Sequence, residues 1–134
     1  MILSQACKYG LQAVIYLAQQ DPRSPVPSKE IAEDLDIPQY FLAKILHGLN
    51  RQGLLKSFKG RGGGFSLARA ADSISPLEVV EAIEGRGFID GCVLGTECSE
   101  RAVCVVHPQW SAIRSQIIAM LGGKSVGALT RDMP

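Results

Sequence analysis

Apolar residues recur at helical spacing through the first fifty positions and are interrupted by proline-rich turns. Leu11, Val14, Ile15, Leu17 and Ala18 share one stripe behind Ser4, which predicts a Ser4-capped helix running to about Gln20. Residues 21–27, Asp-Pro-Arg-Ser-Pro-Val-Pro, end that helix in a loop. Ser28 then predicts the cap of a short helix, Lys29 to Leu35, with Glu30 and Glu33 toward its N-terminal end, where the helix dipole favours them. A turn at Asp36-Ile37-Pro38 leads into a third helix from Gln39 to Gln52. Its apolar face is Phe41, Leu42, Ile45, Leu46 and Leu49, and Gly53 stops it.

The period then changes. Residues 54–59 read as a strand, Gly60-Arg61-Gly62-Gly63-Gly64 as a tight loop, and Phe65-Ser66-Leu67 as the returning strand. Helix, short turn, helix and basic-tipped hairpin is the winged helix-turn-helix pattern, with apolar hairpin positions turned inward. Ser75-Pro76 starts a further helix, Leu77 to Glu84. His107-Pro108 opens a long last helix, Gln109 to Leu121, ended by Gly122-Gly123. Its stripe of Trp110, Ile113, Ile117, Ile118 and Leu121 lacks an obvious domain to cover it and predicts a dimer face, with packing back on its own domain as the alternative. The fold class is therefore mainly α with a small two-stranded β wing. Residues 1–72 form a winged helix-turn-helix domain, 73–107 a connecting helix and cysteine-rich loop, and 108–134 a dimerisation helix and tail.

Charge sharpens this picture. The net charge of +1 over 134 residues is the sum of nine Lys/Arg against five Asp/Glu in residues 1–70 and five against eight in residues 71–134. Between Ile37 and Ala71 stand Lys44, Arg51, Lys56, Lys59, Arg61 and Arg69, with no acid among them. A phosphate backbone rewards such a run through attraction and counterion release, so the expected partner is double-stranded DNA. His47, on the polar side of the third helix, could reach a phosphate. No apolar run approaches the roughly 20 residues that span a bilayer, and the N-terminus lacks the features of a signal peptide. A cytoplasmic protein without membrane contact is expected, and there clustered cysteines point to metal or redox chemistry more than to disulfides.

The candidate chemistry is Cys92, Cys98, Cys104 and His107, spaced C-x5-C-x5-C-x2-H. Thiolate and imidazole are ligands for iron–sulfur clusters and for zinc. Structural zinc usually uses closely spaced C-x2-4-C pairs, which this window lacks. Oxidative pairing of the same thiols remains an alternative. Cys7, on the first helix, reads as a small buried residue. The glycine run is in neither a P-loop nor a dinucleotide-binding context, and no catalytic arrangement appears. A non-enzyme without a small-molecule substrate is expected.

With wing and cysteine loop in place, the chain resembles the Rrf2 family of bacterial regulators. The likeness rests on LSQACKYGLQAVIYLA, IPQYFLAKILHGLNRQGLLKSFKGRGGGFSL, ISPLEVVEAIEG and the three-cysteine loop, together nearly the whole length. It implies a homodimeric winged-helix protein that binds a palindromic operator as a repressor or dual regulator, its long C-terminal helices crossing between subunits. It also implies that Cys92, Cys98 and Cys104 ligate a cluster. His107 matches the fourth ligand of the family's iron–sulfur cluster regulators. The nitric-oxide sensors instead use an N-terminal acid, and Lys8 stands in its place here, which points to [2Fe–2S] over [4Fe–4S]. The family's iron regulators hold [4Fe–4S] clusters on three cysteines, so both nuclearities stay open. Ser28, Gln39, Tyr40 and Lys44 are the DNA-contacting candidates at the helices, with Lys59 and Arg61 at the wing. The recognition helix has no acid, so a switch between two classes of site is not implied.

Overall fold

The structure, a computed structural model, describes residues 3–85 and 106–133. Helix α1 (Gln5–Ala18) begins as expected: the Ser4 hydroxyl accepts the Cys7 N–H at 3.1 Å. Helix α2 (Ser28–Leu35) starts one residue earlier than expected. Extended Pro27 holds the cap position, its carbonyl accepting the Ile31 N–H at 3.1 Å, so Ser28 is the first helical residue and caps nothing with its side chain. Asp36 ends α2 in the left-handed region (φ 54°), and the Ile37 N–H reaches back to the Ala32 carbonyl at 2.9 Å. That tight exit buries Ile37 and launches α3 (Gln39–Arg51). Gly53, at φ 81°, stops α3 while the Leu54 N–H returns to the Leu49 carbonyl at 3.0 Å.

Strands β1 (Leu55–Phe58) and β2 (Gly64–Leu67) pair antiparallel, with Leu55 opposite Leu67 and Phe58 opposite Gly64. A single bridge adds Val26 to the other side of β2, through Val26 N–H to Phe65 O at 2.9 Å and Phe65 N–H to Val26 O at 2.8 Å. This bridge ties the wing to the loop before α2. It explains Gly64, whose φ is 145° and whose position leaves no room for a Cβ beside the Val26 carbonyl. Wing apolar residues do not all turn inward: Leu55 and Phe65 are buried, but Phe58, opposite Gly64, is exposed.

After a short 3-10 turn (Ala71–Ser73), Ser75 and Glu78 close a reciprocal capping box at the start of α4 (Pro76–Glu84). The long helix α5 spans His107–Gly123. A further helix, α6 (Val126–Arg131), occupies the stretch expected to be a tail. The Ser125 hydroxyl caps α6 by accepting the Ala128 N–H at 3.0 Å, and α6 docks on the 3-10 turn through Val126 N–H to Ile74 O at 2.7 Å and Arg131 to Asp72 at 2.7 Å.

One core unites α1, α2, α3, the wing and α4 around Val14, Ile31, Leu42, Leu46, Leu49, Leu55, Ile74 and Val79, with Val126 of α6 completing it. Each of these side chains contributes roughly 1.5–3 kcal/mol on burial. A second cluster joins α1, α4 and α5 through Cys7, Val80 and Leu121, with Leu77, Ile83 and Ile117 beside them. The expected α5 stripe is therefore divided. Leu121 and Ile117 pack on the helices of the same chain and Trp110 is buried, whereas Ile113 is exposed, as is Met120 outside the stripe.

Candidate nucleic-acid interface and cofactor site

Helix α3 is two-faced because its apolar positions repeat every three to four residues. Leu42, Ile45, Leu46 and Leu49 are buried, which turns Gln39, Tyr40 and Lys44 to solvent. Tyr40 is 76% exposed, unusual for so large a ring, and the Lys44 ammonium lies 4.5 Å from its centroid. The two are four residues apart, one helical turn, and the ring quadrupole attracts the cation. This contact costs no buried charge and presents a flat aromatic with a fixed positive group on an acid-free helix. Phe41 of the predicted apolar face is partly exposed, its ring meeting Tyr9 of α1 edge to face at 5.6 Å. Ser28, at the first turn of α2, is half-buried.

The wing carries Lys56 on β1 and Lys59 and Arg61 in its loop, all exposed. Among the described residues no acid pairs with any of them. Arg69 differs from the expectation drawn from its place in the basic run. Its guanidinium donates to Glu78 at 2.7 Å and to the Ser73 carbonyl at 2.9 Å, stapling the end of the wing to α4. Its charge is neutralised within the fold. His47 is exposed on α3 with its ring edge-on to Phe65 at 5.3 Å, so it props the wing strand.

Of the four candidate ligands, Cys92, Cys98 and Cys104 lie outside the described residues. His107 is the first residue of α5 and is half-buried. Among the described residues alone, no group of three or more metal-binding side chains comes together. The donor chemistry still suits an iron–sulfur cluster, since three thiolates and one imidazole can supply its terminal ligands. In sequence the three cysteines lie between α4, which ends at Glu84, and His107 at the start of α5.

Cys7 is the small buried residue that its place on the first helix suggested. It is fully buried, and burial, with the Glu84 carboxylate adding to it, pushes its thiol up to about 11. It stays a neutral thiol packed against Val80 and Leu121. Glu84 itself is a residue that sequence reasoning missed. It accepts the Ser4 N–H at 3.3 Å and a short hydrogen bond from the Ser4 hydroxyl, so the last turn of α4 is tied to the first of α1. No local pattern announces a contact across 80 positions.

With this geometry established, similarity to known proteins decides the family. The family model described as Rrf2, iron-dependent transcriptional regulator, matches residues 3–132. The chain belongs to the Rrf2 family. A provisionally named HTH-type transcriptional regulator of Aquifex aeolicus is 38% identical over 129 residues, covering 94% of this chain and 89% of its own. The HTH-type transcriptional regulator IscR of Vibrio atlanticus is 28% identical over 132 residues, 98% of this chain and 76% of its own. Among solved structures, CymR, the global cysteine regulator of B. subtilis, superposes with a TM-score of 0.83 at 25% identity and 98% coverage of both chains. T. potens IscR gives 0.80 at 26% identity, covering 97% of this chain and 86% of its own. The two-stranded wing on a helical body is thus the architecture of Rrf2 regulators. As an Rrf2 protein the chain is a DNA-binding transcription regulator and not an enzyme. No helix among the described residues is long and apolar enough to cross a membrane.

Proposed function

We propose that this Rrf2 regulator acts as a homodimer and reads the state of an iron–sulfur cluster held by Cys92, Cys98, Cys104 and His107. Lys8 on α1 and the presence of His107 favour a [2Fe–2S] centre. When bound, the cluster supplies a centre that responds to oxidants, nitric oxide and iron supply.

The observation that carries this reading is where the donor set enters the fold. It lies in sequence between α4 and α5, and those helices pack on each other and on α1 through Val80, Leu121 and Cys7. The same α1 helps build the core that holds α3 and the wing. Tethering residues 92–107 to one centre would fix the start of α5 against α4, and freeing them would release it, shifting the balance between two dimer geometries. Residues 1–72 would be the reading domain, 73–107 the sensing segment and 108–134 the dimerisation segment, with Ile113 and Met120 left exposed on α5 for a second subunit.

On DNA, Gln39, Tyr40 and Lys44 would enter the major groove. Ser28 would meet phosphate, and Lys59 and Arg61 would reach the minor groove or its flanking phosphates. The exposure of Tyr40 and of wing cations that no acid pairs among the described residues supports these roles. Two subunits would match a palindromic operator.

A second reading, thiol switching without a cluster, is favoured by the likeness to the cysteine regulator CymR. Anaerobic purification, with visible and EPR spectra and iron and sulfide counts, separates the two. A coloured protein near two iron and two sulfide per chain, bleached in Cys98→Ala, is the expected result. A colourless protein that reconstitution leaves iron-free overturns the cluster reading in favour of the thiols.

A further inference from the structure

A cavity of about 220 Å³ opens between the C-terminal end of α1, the loop at 21–24 and strand β2. Its walls are apolar, with Leu17, Ala18, Pro22, Phe65 and Leu67 facing it. Of the polar residues that line it, Gln20 is half-buried and Asp21, Ser24 and Arg69 are exposed, which leaves Ser66 as the buried polar side chain in the wall. Ser66 is only 6% exposed, lines the cavity, and has no hydrogen-bond partner for its hydroxyl among the described residues. No fully sealed side-chain oxygen or nitrogen of the described residues lacks a partner, so this hydroxyl opens onto the cavity. A hydroxyl that opens onto an apolar cavity without a protein partner is available to the polar group of a ligand.

Two charged side chains also line the space, and both have partners. Arg69 donates to Glu78 and the Ser73 carbonyl, and Asp21 accepts the Arg23 N–H at 2.9 Å. The Arg69 charge is taken up by Glu78 and Asp21 lies exposed at the rim, so the buried wall offers a ligand no charge. We propose that this cavity binds a small uncharged molecule with an apolar body and a single hydrogen-bonding group, which meets the Ser66 hydroxyl. An apolar cavity of about 150 Å³ accommodates benzene, so this one has room for roughly nine heavy atoms. Strand β2 runs from the cavity wall at Leu67, Ser66 and Phe65 directly to Gly64 at the wing loop, and Phe65 also holds the Val26 bridge. The site therefore abuts the strand that mounts the wing.

The test is an amide-resolved NMR titration of the full chain with benzyl alcohol, and with benzoate as its charged counterpart. Saturable shifts at Ala18, Ser66, Leu67 and Ala70 with millimolar affinity are expected, and benzoate should bind more weakly. Ser66→Ala should weaken binding about fivefold, the share of one hydrogen bond. Ala18→Leu, which fills the cavity from α1, should abolish it. Because Ala18→Leu could also disturb α1, the Ser66→Ala result stands as the independent measure. Shifts that do not saturate, or that map away from these residues, overturn the site. Unchanged affinity in Ser66→Ala overturns the role of its hydroxyl, and benzoate binding as well as benzyl alcohol overturns the uncharged class.

Discussion

Arg61 and Arg69 stand eight positions apart in the same acid-free run, yet the structure separates them, and DNA binding should show it. Arg61 is exposed in the wing loop with no acid beside it among the described residues, whereas Arg69 is committed to Glu78 and the Ser73 carbonyl. Each phosphate neutralised contributes about 0.9 to the slope of log affinity against log salt. The proposed homodimer would lose two such contacts in Arg61→Ala, so the slope should become shallower by about 1.8. Over a fourfold rise in salt, the wild-type advantage should then shrink by about tenfold. Fluorescence anisotropy with a labelled operator duplex from 50 to 200 mM salt is the assay, these concentrations being about the range over which such slopes are clear. Arg69→Ala should leave the slope unchanged. Its cost should fall on folding instead, at roughly 0.2–1 kcal/mol for a partly exposed ion pair. Equal slopes for wild type and Arg61→Ala would refute the wing contact, and a shallower slope for Arg69→Ala would refute its assignment to the fold.

Three further outcomes are expected. Leu46→Ala removes a fully buried side chain from the α3 face and should cost about 2–5 kcal/mol in urea unfolding, with unchanged denaturant dependence. Gly64→Ala should destabilise by about 3 kcal/mol or more, because the backbone is at φ 145° and the new methyl would overlap the Val26 carbonyl. A melting temperature equal to wild type would contradict the tight Val26 bridge. Cys7, with its thiol raised to about 11 from an ordinary 9.0, should resist iodoacetamide at neutral pH in the folded protein and react in urea, as mass spectrometry would show. The same shift predicts that its stabilising contribution is complete below pH 9 and is lost as pH rises toward 11, since the unfolded thiol ionises first. Cys7→Ala should flatten that part of the stability profile.

Much of this protein was legible in its sequence because the signals are local. Ser4 and Ser75 cap helices by reaching three residues ahead, Gly53 stops α3 within one turn, and the period of Leu42, Ile45, Leu46 and Leu49 decides which face of α3 is left for Gln39, Tyr40 and Lys44. The hairpin and its basic loop follow from a change of period and a run of glycines. The proposed donor set Cys92, Cys98, Cys104 and His107 rests on residue type and spacing, and its three cysteines lie outside the described residues. Tertiary structure decided what depends on partners far along the chain. Arg69 left the basic surface because α4 brought Glu78 to it, and the neighbours that bury Cys7, Val80 and Leu121, come from α4 and α5. The α5 stripe was divided between its own core and solvent, the tail became α6 on a surface made by Asp72 and Ile74, and Val26 joined β2 across nearly forty residues of chain. A residue's neighbours in a helix are set by a 3.6-residue repeat, but its neighbours across a core are set by how whole elements pack, and no short window of sequence contains both partners.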